Sequence, residues 1–343
     1  MKLWRLFAAL VLVAVLAVVV VISQINTFMT TPVKAADHGV AFEISPGSSF
    51  AAVCQKLVAE GVIADDRWFR LYVRWHDKAG SIQAGDYLIE AGATPLSLLD
   101  KFTSGNVRLY TFTLVEGWNA REVLDALHAN EAITATMSDE DWPALIQSLG
   151  AETLHPEGLF LPETYRFPKK TTDRALLGQA YELMQTVLAE EWQARSIEAP
   201  VSSAYEALIL ASIVEKETAR ADERPKIAGV FARRLQKRMR LQTDPTVIYG
   251  IGPDFDGNLT RKHLTTDTPY NTYTRHGLPP TPIAMPGRAA INAALHPEEG
   301  TSLYFVATGM GDGSHKFSDN KADHDAAVAE YLKRLRQQRR PGN

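Results

Sequence analysis

The chain has 343 residues, of which 45% are hydrophobic and 22% charged, so its composition is that of a folded protein and not of a disordered or collagen-like chain. Its 36 Lys and Arg against 40 Asp and Glu give a formal net charge of -4, which provides no overall attraction to nucleic-acid phosphates. The single cysteine, Cys54, excludes an intrachain disulfide and a multi-cysteine metal cluster.

An uninterrupted apolar run of 17 residues, Leu6 to Ile22, lies close to the N-terminus. As a helix it would span roughly 25 Å, which is enough to cross a thin hydrocarbon core. Lys2 and Arg5 precede the run and no basic residue follows until Lys34, so the positive-inside rule places the N-terminus in the cytoplasm. We therefore predict an uncleaved single-pass anchor over residues 1–30, with a cleaved signal peptide as the alternative.

After a polar spacer from Ser23 to Gly39, a pattern of alternating apolar strand, glycine and amphipathic helix recurs three times. The strands begin at Phe42, Tyr87 and Phe112, and the glycines are Gly47, Gly92 and Gly117. Glycine permits a positive-φ turn, and the spacing of three to four that follows indicates a helix. Such units resemble the LysM modules that bind N-acetylglucosamine chains, and ordinary packing modules are the alternative. We assign a LysM-like module to residues 31–107.

A helical pattern from Met137 to Ser196 is interrupted by the segment HPEGLFLPETYRFP, residues 155–168. Its three prolines and glycine forbid a continuous helix. The segment holds aromatic and apolar side chains beside Glu157 and Glu163. We predict a structured loop that lines a cleft, with a hydrophobic connector packed on the core as the alternative.

The segment Ala204 to Glu217 is apolar on nearly every face until its last turn, which predicts a core helix that ends in Glu215 and Glu217. These two side chains project about 200° apart, so they cannot form a facing pair of catalytic carboxylates. A carboxyl at the junction of a buried helix and a cleft is desolvated, has a raised pKa and suits a general acid. Ion pairs with neighbouring cations are the alternative role. A second helix is predicted from Arg224 to Arg238.

The region downstream is polar and aromatic with little regular periodicity, up to a predicted buried strand at Ser302 to Ala307 and a following edge strand at His315 to Ser318. Amide, carboxylate and aromatic groups in this region suit the hydroxyl edges and apolar faces of sugar rings. These groups belong to Gln242, Asp244, Tyr270, Asn271 and Tyr273. The histidines are scattered without the spacing of a zinc site, so no metal is expected.

The motifs ASIVEKET, RLQTDPTVIYG, YNTY, GLPP, AMPG and YFVATG, in this order, resemble those of the endolytic murein transglycosylase (YceG-like) family along nearly the whole chain. The resemblance implies an α+β fold with one transmembrane helix, small LysM-like modules and a mixed α+β, lysozyme-like catalytic domain over residues 108–343. It implies an enzyme of the inner membrane that faces the periplasm and needs no cofactor. Its substrate would be the bond between N-acetylmuramic acid and N-acetylglucosamine in nascent glycan strands, cleaved to leave 1,6-anhydro ends that terminate elongation. Penicillin-binding synthases are the expected partners.

The resemblance places the catalytic carboxyl at Glu217, with Thr218 where related enzymes commonly have Ser, and Glu215 as the competing position. One carboxyl suffices when the C6 hydroxyl of the substrate replaces water as the nucleophile. The residues expected to bind substrate around it are Glu163, Gln242, Asp244, Tyr270, Asn271 and Tyr273. A non-catalytic glycan-binding scaffold that recruits synthases, and a hydrolase that uses water, are the alternative functions.

Overall fold

The structure is a computed structural model that describes residues 2–34 and 38–338. The chain divides into two compact units. The N-terminal unit comprises Met1–Tyr110 and Arg166–Lys170, and the C-terminal unit comprises Thr111–Tyr165 and Thr171–Asn343.

The N-terminal unit contains a two-stranded antiparallel sheet whose paired strands are separated along the chain by two α-helices. Its elements are α1 (Lys2–Thr30), β1 (Val40–Ile44), α2 (Phe50–Ala59), α3 (Arg67–Trp75), β2 (Gly85–Ile89) and α4 (Pro95–Ser104). Phe42 of β1 lies opposite Tyr87 of β2, and both are fully buried. The Phe102 ring of α4 packs against these two rings at centroid distances of 5.7 Å and 4.8 Å, which closes the core of the unit.

Helix α1 extends well beyond the apolar run that predicted it. The run itself is exposed, and the helix is long and apolar enough to cross a membrane. The expected polar spacer from Ser23 is wrong over its first eight residues, because the helix continues to Thr30. Ile25 and Met29, one helical turn apart, are buried in the core of the N-terminal unit, where α1 packs against α3 and α4.

The predicted strand, glycine and helix pattern is confirmed in all three copies. The φ angles are 77° at Gly47, 79° at Gly92 and 80° at Gly117, a left-handed conformation that side chains with a Cβ rarely adopt. A capping residue follows each glycine by two positions and accepts a hydrogen bond from a backbone N–H in the first turn of the helix. The caps are Ser49, Thr94 and Asn119.

The remaining elements follow in chain order. They are β3 (Leu109–Thr113), α5 (Ala120–His128), β4 (Ile133–Thr134), α6 (Trp142–Ser148), β5 (Thr164–Pro168), β6 (Thr171–Thr172), α7 (Asp173–Gln193), α8 (Ala204–Glu217), α9 (Arg224–Gln236), α10 (Asp244–Ile251), α11 (Arg261–Thr265), α12 (Arg288–Leu295), β7 (Tyr304–Ala307), β8 (His315–Ser318) and α13 (Lys321–Gln338). Strand β4 pairs with β6 in parallel, and β7 pairs with β8 antiparallel.

The core of the C-terminal unit is organised around α8, whose predicted bounds are confirmed. Its buried residues run continuously from Ala207 to Val214, and the helix packs against α7, α9, α10 and α12. The region expected to lack periodicity contains the helices α10, α11 and α12. Helix α12 has the sequence RAAINAAL, in which four alanines give a weak apolar signal yet allow a close approach to α8.

The segment 155–168 is partly a strand, because β5 occupies its C-terminal end. Its apolar side chains are buried: Leu159, Phe160 and Tyr165 are at most 7% exposed. The ring of Phe160 packs against Trp142 at 5.6 Å. These side chains therefore pack as expected for a hydrophobic connector on the core, which was the alternative to the predicted cleft-lining loop.

Candidate active site

Helix α8 delivers Glu217 to a cleft in the C-terminal unit. Glu217 is the last residue of the helix and is half-buried. The cleft has a volume of about 480 Å³, and Glu217 lines it together with side chains from several later elements. These side chains include Arg234, Gln242, Asp244, Tyr273, Tyr304 and His315.

The carboxyl of Glu217 receives one hydrogen bond, and within the described residues it forms no ion pair. The hydroxyl of Thr243 donates to its Oε1 atom. Burial raises the pKa of Glu217 to about 7; the nearby charge of Asp244 also raises it, while the Thr243 hydrogen bond and the charge of Arg234 lower it. Both protonation states of this carboxyl are therefore populated near neutral pH.

Thr243, which directly precedes α10, is itself held in place by the loop that follows α11. It is 2% exposed, and its backbone N–H donates to the hydroxyl of Thr272 at 3.1 Å. Thr243 occupies the N-cap position of α10, but its side chain makes no capping hydrogen bond. The hydroxyl is used for Glu217 instead, so one fixed donor orients the carboxyl.

Arg234 contributes a buried cation to the wall of the cleft. Its Nε donates to the carbonyl oxygen of Leu303 at 2.7 Å, and its Nη1 donates to that of Leu241 at 2.8 Å. The guanidinium also lies over the ring of Tyr304, 5.0 Å from the centroid. These contacts connect Arg234 to the chain segments that contain Leu241 and Leu303.

Glu215 has different surroundings, although it lies only two positions from Glu217. Its Oε1 is 2.9 Å from Nη2 of Arg224, and its Oε2 accepts the N–H of Gly287 at 2.9 Å. The side chain is 4% exposed. Both oxygens are thus occupied by fixed donors, which makes Glu215 a structural ion-pair partner and leaves Glu217 as the carboxyl open to the cleft.

Three of the expected substrate-binding residues line the cleft beside Glu217. The hydroxyl of Tyr273 donates to Oδ1 of Asp244 at 2.5 Å, and both residues line the cleft with Gln242. Gln242 is exposed and has a φ of 51°, a conformation uncommon for a residue with a Cβ. Its N–H donates to the carbonyl of Thr272 at 3.2 Å, which holds the residue in this conformation.

The other three expected residues are not among those that line this cleft. The amide of Asn271 donates to three backbone carbonyls between His263 and Thr266, at 2.7–3.3 Å, and so ties its loop to the C-terminal end of α11. The hydroxyl of Tyr270 lies 2.8 Å from that of Thr281. Glu163 is exposed, and its carboxylate accepts the N–H of the residue that follows it.

A second carboxyl, Glu157, also has a perturbed pKa. Burial raises the pKa of Glu157 to about 7, against the opposing hydrogen bonds from Ala120 and Tyr249. Both of its oxygens lie 3.1 Å from the N of Ala120 in the first turn of α5, and one lies 3.2 Å from the Tyr249 hydroxyl. Glu157 is 4% exposed and is not among the residues that line the cleft, so its contacts stabilise the helix terminus.

Several residues of the site were not identified from the sequence, among them Thr243 and His315. Thr243 precedes an Asp-Pro pair, which is a pattern typical of a helix N-cap; this signal could have predicted α10, which was missed. His315 lines the cleft, and its Nδ1 lies 2.7 Å from a carboxylate oxygen of Glu223. The 92 positions between these partners leave no local signal for the pair.

Comparison with known proteins identifies a family that this chain matches. Residues 42–330 match the model of the YceG-like family. A protein of Bacillus subtilis (strain 168) named endolytic murein transglycosylase is 31% identical over 315 residues, which cover 85% of each chain. A protein of the same name from Streptococcus pneumoniae is 27% identical over 325 residues; these cover 85% of this chain and 58% of the pneumococcal protein.

A solved structure is also similar. The crystal structure of a YceG-like protein from Listeria monocytogenes superposes with a TM-score of 0.53 at 28% sequence identity. The match covers 85% of this chain and 99% of the Listeria chain.

Proposed function

Because the chain belongs to the YceG-like family, we propose that it is a membrane-anchored endolytic transglycosylase that cleaves peptidoglycan strands between N-acetylmuramic acid and N-acetylglucosamine. The observation that carries the proposal is the state of Glu217. It lines a cleft, forms no ion pair within the described part of the chain, and has a pKa raised to about 7. A carboxyl in this state can give a proton and take one back at the same pH.

The reaction begins with proton transfer from Glu217 to the glycosidic oxygen. The bond between C1 of the muramyl ring and this oxygen breaks, and the N-acetylglucosamine unit leaves with a free hydroxyl. The C6 hydroxyl oxygen of the same muramyl ring then bonds to C1, and its proton returns to the carboxylate of Glu217. No water is consumed, and the product ends in a 1,6-anhydro ring.

The hydrogen bond from Thr243 distinguishes the two carboxylate oxygens of Glu217. It occupies Oε1, while Oε2 has no hydrogen-bond partner among the residues that the structure describes. The Oε2 atom is therefore the one that we assign to proton transfer. The same hydrogen bond stabilises the carboxylate that forms after the first step.

Asp244, Gln242 and Tyr273 are the groups that we assign to the sugar at the reaction centre. The negative charge of Asp244 favours positive charge that develops at C1 in the transition state. The amide of Gln242 is exposed to the cleft and provides both a donor and an acceptor for sugar hydroxyl and acetamido groups. The Tyr273 hydroxyl holds the Asp244 carboxylate at 2.5 Å.

We assign α1 to the inner membrane, with the N-terminus in the cytoplasm and both compact units in the periplasm. Its exposed apolar run and the basic residues before it support this topology. The N-terminal unit is assigned a LysM-like role in holding the glycan strand. Cleavage of nascent strands near the membrane would terminate their elongation, with penicillin-binding synthases as the partners that supply them.

The type of product end tests the reaction. The full-length protein in detergent is incubated with purified uncrosslinked glycan strands, and the products are analysed by mass spectrometry. We expect 1,6-anhydro ends, which differ from reducing ends by the mass of one water molecule. Reducing ends would assign the protein to the hydrolases, and intact strands would favour a non-catalytic scaffold.

A further inference from the structure

Helix α3 of the N-terminal unit carries an exposed stripe of mixed apolar and cationic side chains. The stripe consists of Arg67, Leu71, Arg74 and Trp75, which successive turns of a helix bring to one face within about 100°. Leu71 is 45% exposed and Trp75 is 65% exposed. The opposite face of the helix is anchored in the core by Phe69 and Val73, so packing fixes the orientation of the stripe.

The stripe lies close to the end of the proposed membrane span. Helix α1 packs against α3, and the contacting part of α1 is its C-terminal end, where Ile25 and Met29 are buried in the same core as Phe69. At about 1.5 Å per residue, Ile25 and Met29 lie roughly 5 Å and 10 Å beyond Ile22, the last residue of the apolar run. A bilayer's headgroup layer extends over a similar distance beyond its hydrocarbon core.

We propose that the exposed stripe of α3 docks on the surface of the phospholipid bilayer that α1 crosses, with the side chains of Leu71 and Trp75 in the interfacial layer and Arg74 at lipid phosphates. The proposal rests on the membrane anchorage given under the proposed function. Tryptophan is enriched at membrane interfaces because its ring is apolar and its N–H is polar. An amphipathic helix with cations beside its apolar face lies in the plane of the headgroups.

The cations of the stripe differ in what they already contact. Arg67 is paired with Asp65 at 2.6 Å, and Arg70, on the flank of the helix, is 3.4 Å from Asp66. Arg74 forms no ion pair within residues 2–34 and 38–338, and it is exposed. Arg74 is therefore the charge available to an anionic headgroup, and its replacement is the sharper test of lipid charge.

The experiment uses the full chain reconstituted in vesicles of phosphatidylcholine with phosphatidylglycerol. A Leu71→Cys variant is labelled with a fluorescent probe, and nitroxide-labelled lipids serve as quenchers. Val58→Cys is the matched control, because Val58 is an exposed apolar residue (38%) on α2 of the same unit. Native Cys54 stays in place, since it is fully buried and burial raises the pKa of its thiol to about 12.

We expect the probe at position 71 to be quenched several-fold more strongly than the probe at position 58. Equal, weak quenching at both positions would overturn the proposal. Resistance of the protein to alkaline extraction is measured on the same vesicles: release from them would contradict the anchorage itself, whereas retention with an unquenched probe at position 71 would contradict docking alone.

A second comparison tests the charge. Adding Arg74→Glu to the labelled Leu71→Cys protein should weaken quenching in vesicles that contain phosphatidylglycerol and should have a smaller effect in pure phosphatidylcholine. Equal quenching with and without Arg74→Glu in the anionic vesicles would contradict the assigned contact with lipid phosphates.

Discussion

Glu215 and Glu217 lie two residues apart at the end of α8, yet Glu215 ends against a guanidinium 2.9 Å away while Glu217 ends in a cleft beneath a threonine hydroxyl. The helix turn separates them by about 200°, which sends one side chain to Arg224 and the other to the proposed glycan site. One carboxyl therefore stabilises the fold, and the other is available to transfer protons. Variants of the two residues should fail in different ways.

Glu215→Gln should destabilise the C-terminal unit without moving the pH dependence of catalysis. The substitution removes one of the two carboxylates that pair with the buried Arg224 and leaves the other, Glu116, at 3.2 Å; a hydrogen bond to a charged group contributes about 2 kcal/mol. Thermal unfolding of the full-length protein measures the loss. Asp222→Asn is the control, because its 2.8 Å ion pair with Arg220 is at the surface, where solvent screens it, and its loss should lower the melting temperature much less. Equal effects of the two variants would contradict the structural role of Glu215.

Glu217→Gln should raise the melting temperature above pH 7 and leave it nearly unchanged near pH 4. The pKa of Glu217 is about 7 in the folded chain against an ordinary value of 4.5, so the folded state retains a proton that the unfolded chain releases between these two pH values. Stability therefore falls as pH rises through this window, by about 3 kcal/mol in total. Glutamine avoids this penalty because it carries no charge.

The control for that comparison is Glu182→Gln, which changes an exposed glutamate on α7. The difference in melting temperature between Glu182→Gln and the parent should be the same at pH 4 and pH 8. A pH-independent difference for Glu217→Gln as well would mean that the pKa of Glu217 is the same in the folded and the unfolded chain, which would contradict the prediction.

Thr243→Val should shift the alkaline limb of the rate profile to higher pH. Activity requires protonated Glu217 for the first step, so the rate falls as pH rises through the pKa of this group. The Thr243 hydrogen bond lowers that pKa, and its removal raises it. Thr246→Val is the matched control, since the Thr246 hydroxyl is buried nearby but hydrogen-bonds to the backbone carbonyl of Thr243 and the hydroxyl of Thr272 instead of to the carboxyl of Glu217. An unchanged alkaline limb would show that the Thr243 hydroxyl does not lower the pKa of Glu217.

Asp244→Asn should move the same limb in the opposite direction. The negative charge of Asp244 raises the pKa of Glu217, so its removal lowers that pKa and reduces the protonated fraction at neutral pH. The pH dependence of kcat/KM measures the free-enzyme value. A shift to higher pH, or none, would contradict the electrostatic coupling between these two residues.

The elements that the sequence predicted best are those whose signal is local. Helix α8 has the predicted bounds because its apolar residues are continuous, and the three glycine turns follow from a requirement for positive φ. The continuation of α1 to Thr30 was missed, because only Ile25 and Met29 mark its contact with a core formed by later residues. Helix α12 was missed because its alanines carry little apolar signal.

For the candidate site, too, the sequence did not show which distant segments of the chain come into contact. The sequence narrowed the acid to Glu215 or Glu217, but the partners that distinguish them, Arg224 and Thr243, come from other segments of the chain. Asn271 has the residue type of a sugar ligand, yet its amide donates to three backbone carbonyls at the C-terminal end of α11. A sequence shows which side chains can ionise or form hydrogen bonds, whereas the fold determines which partners they contact.

The most direct test is the yield of anhydro-ended products from purified glycan strands, compared between the parent protein and Glu217→Gln. Glutamine preserves the shape of the side chain but removes its titratable proton, so we expect the rate at which anhydro-ended products are released to fall by roughly 10³-fold. The parent and the control Glu182→Gln should release 1,6-anhydro ends at equal rates. Undiminished release of anhydro ends by Glu217→Gln would contradict the assignment of Glu217 as the group that gives and recovers the proton.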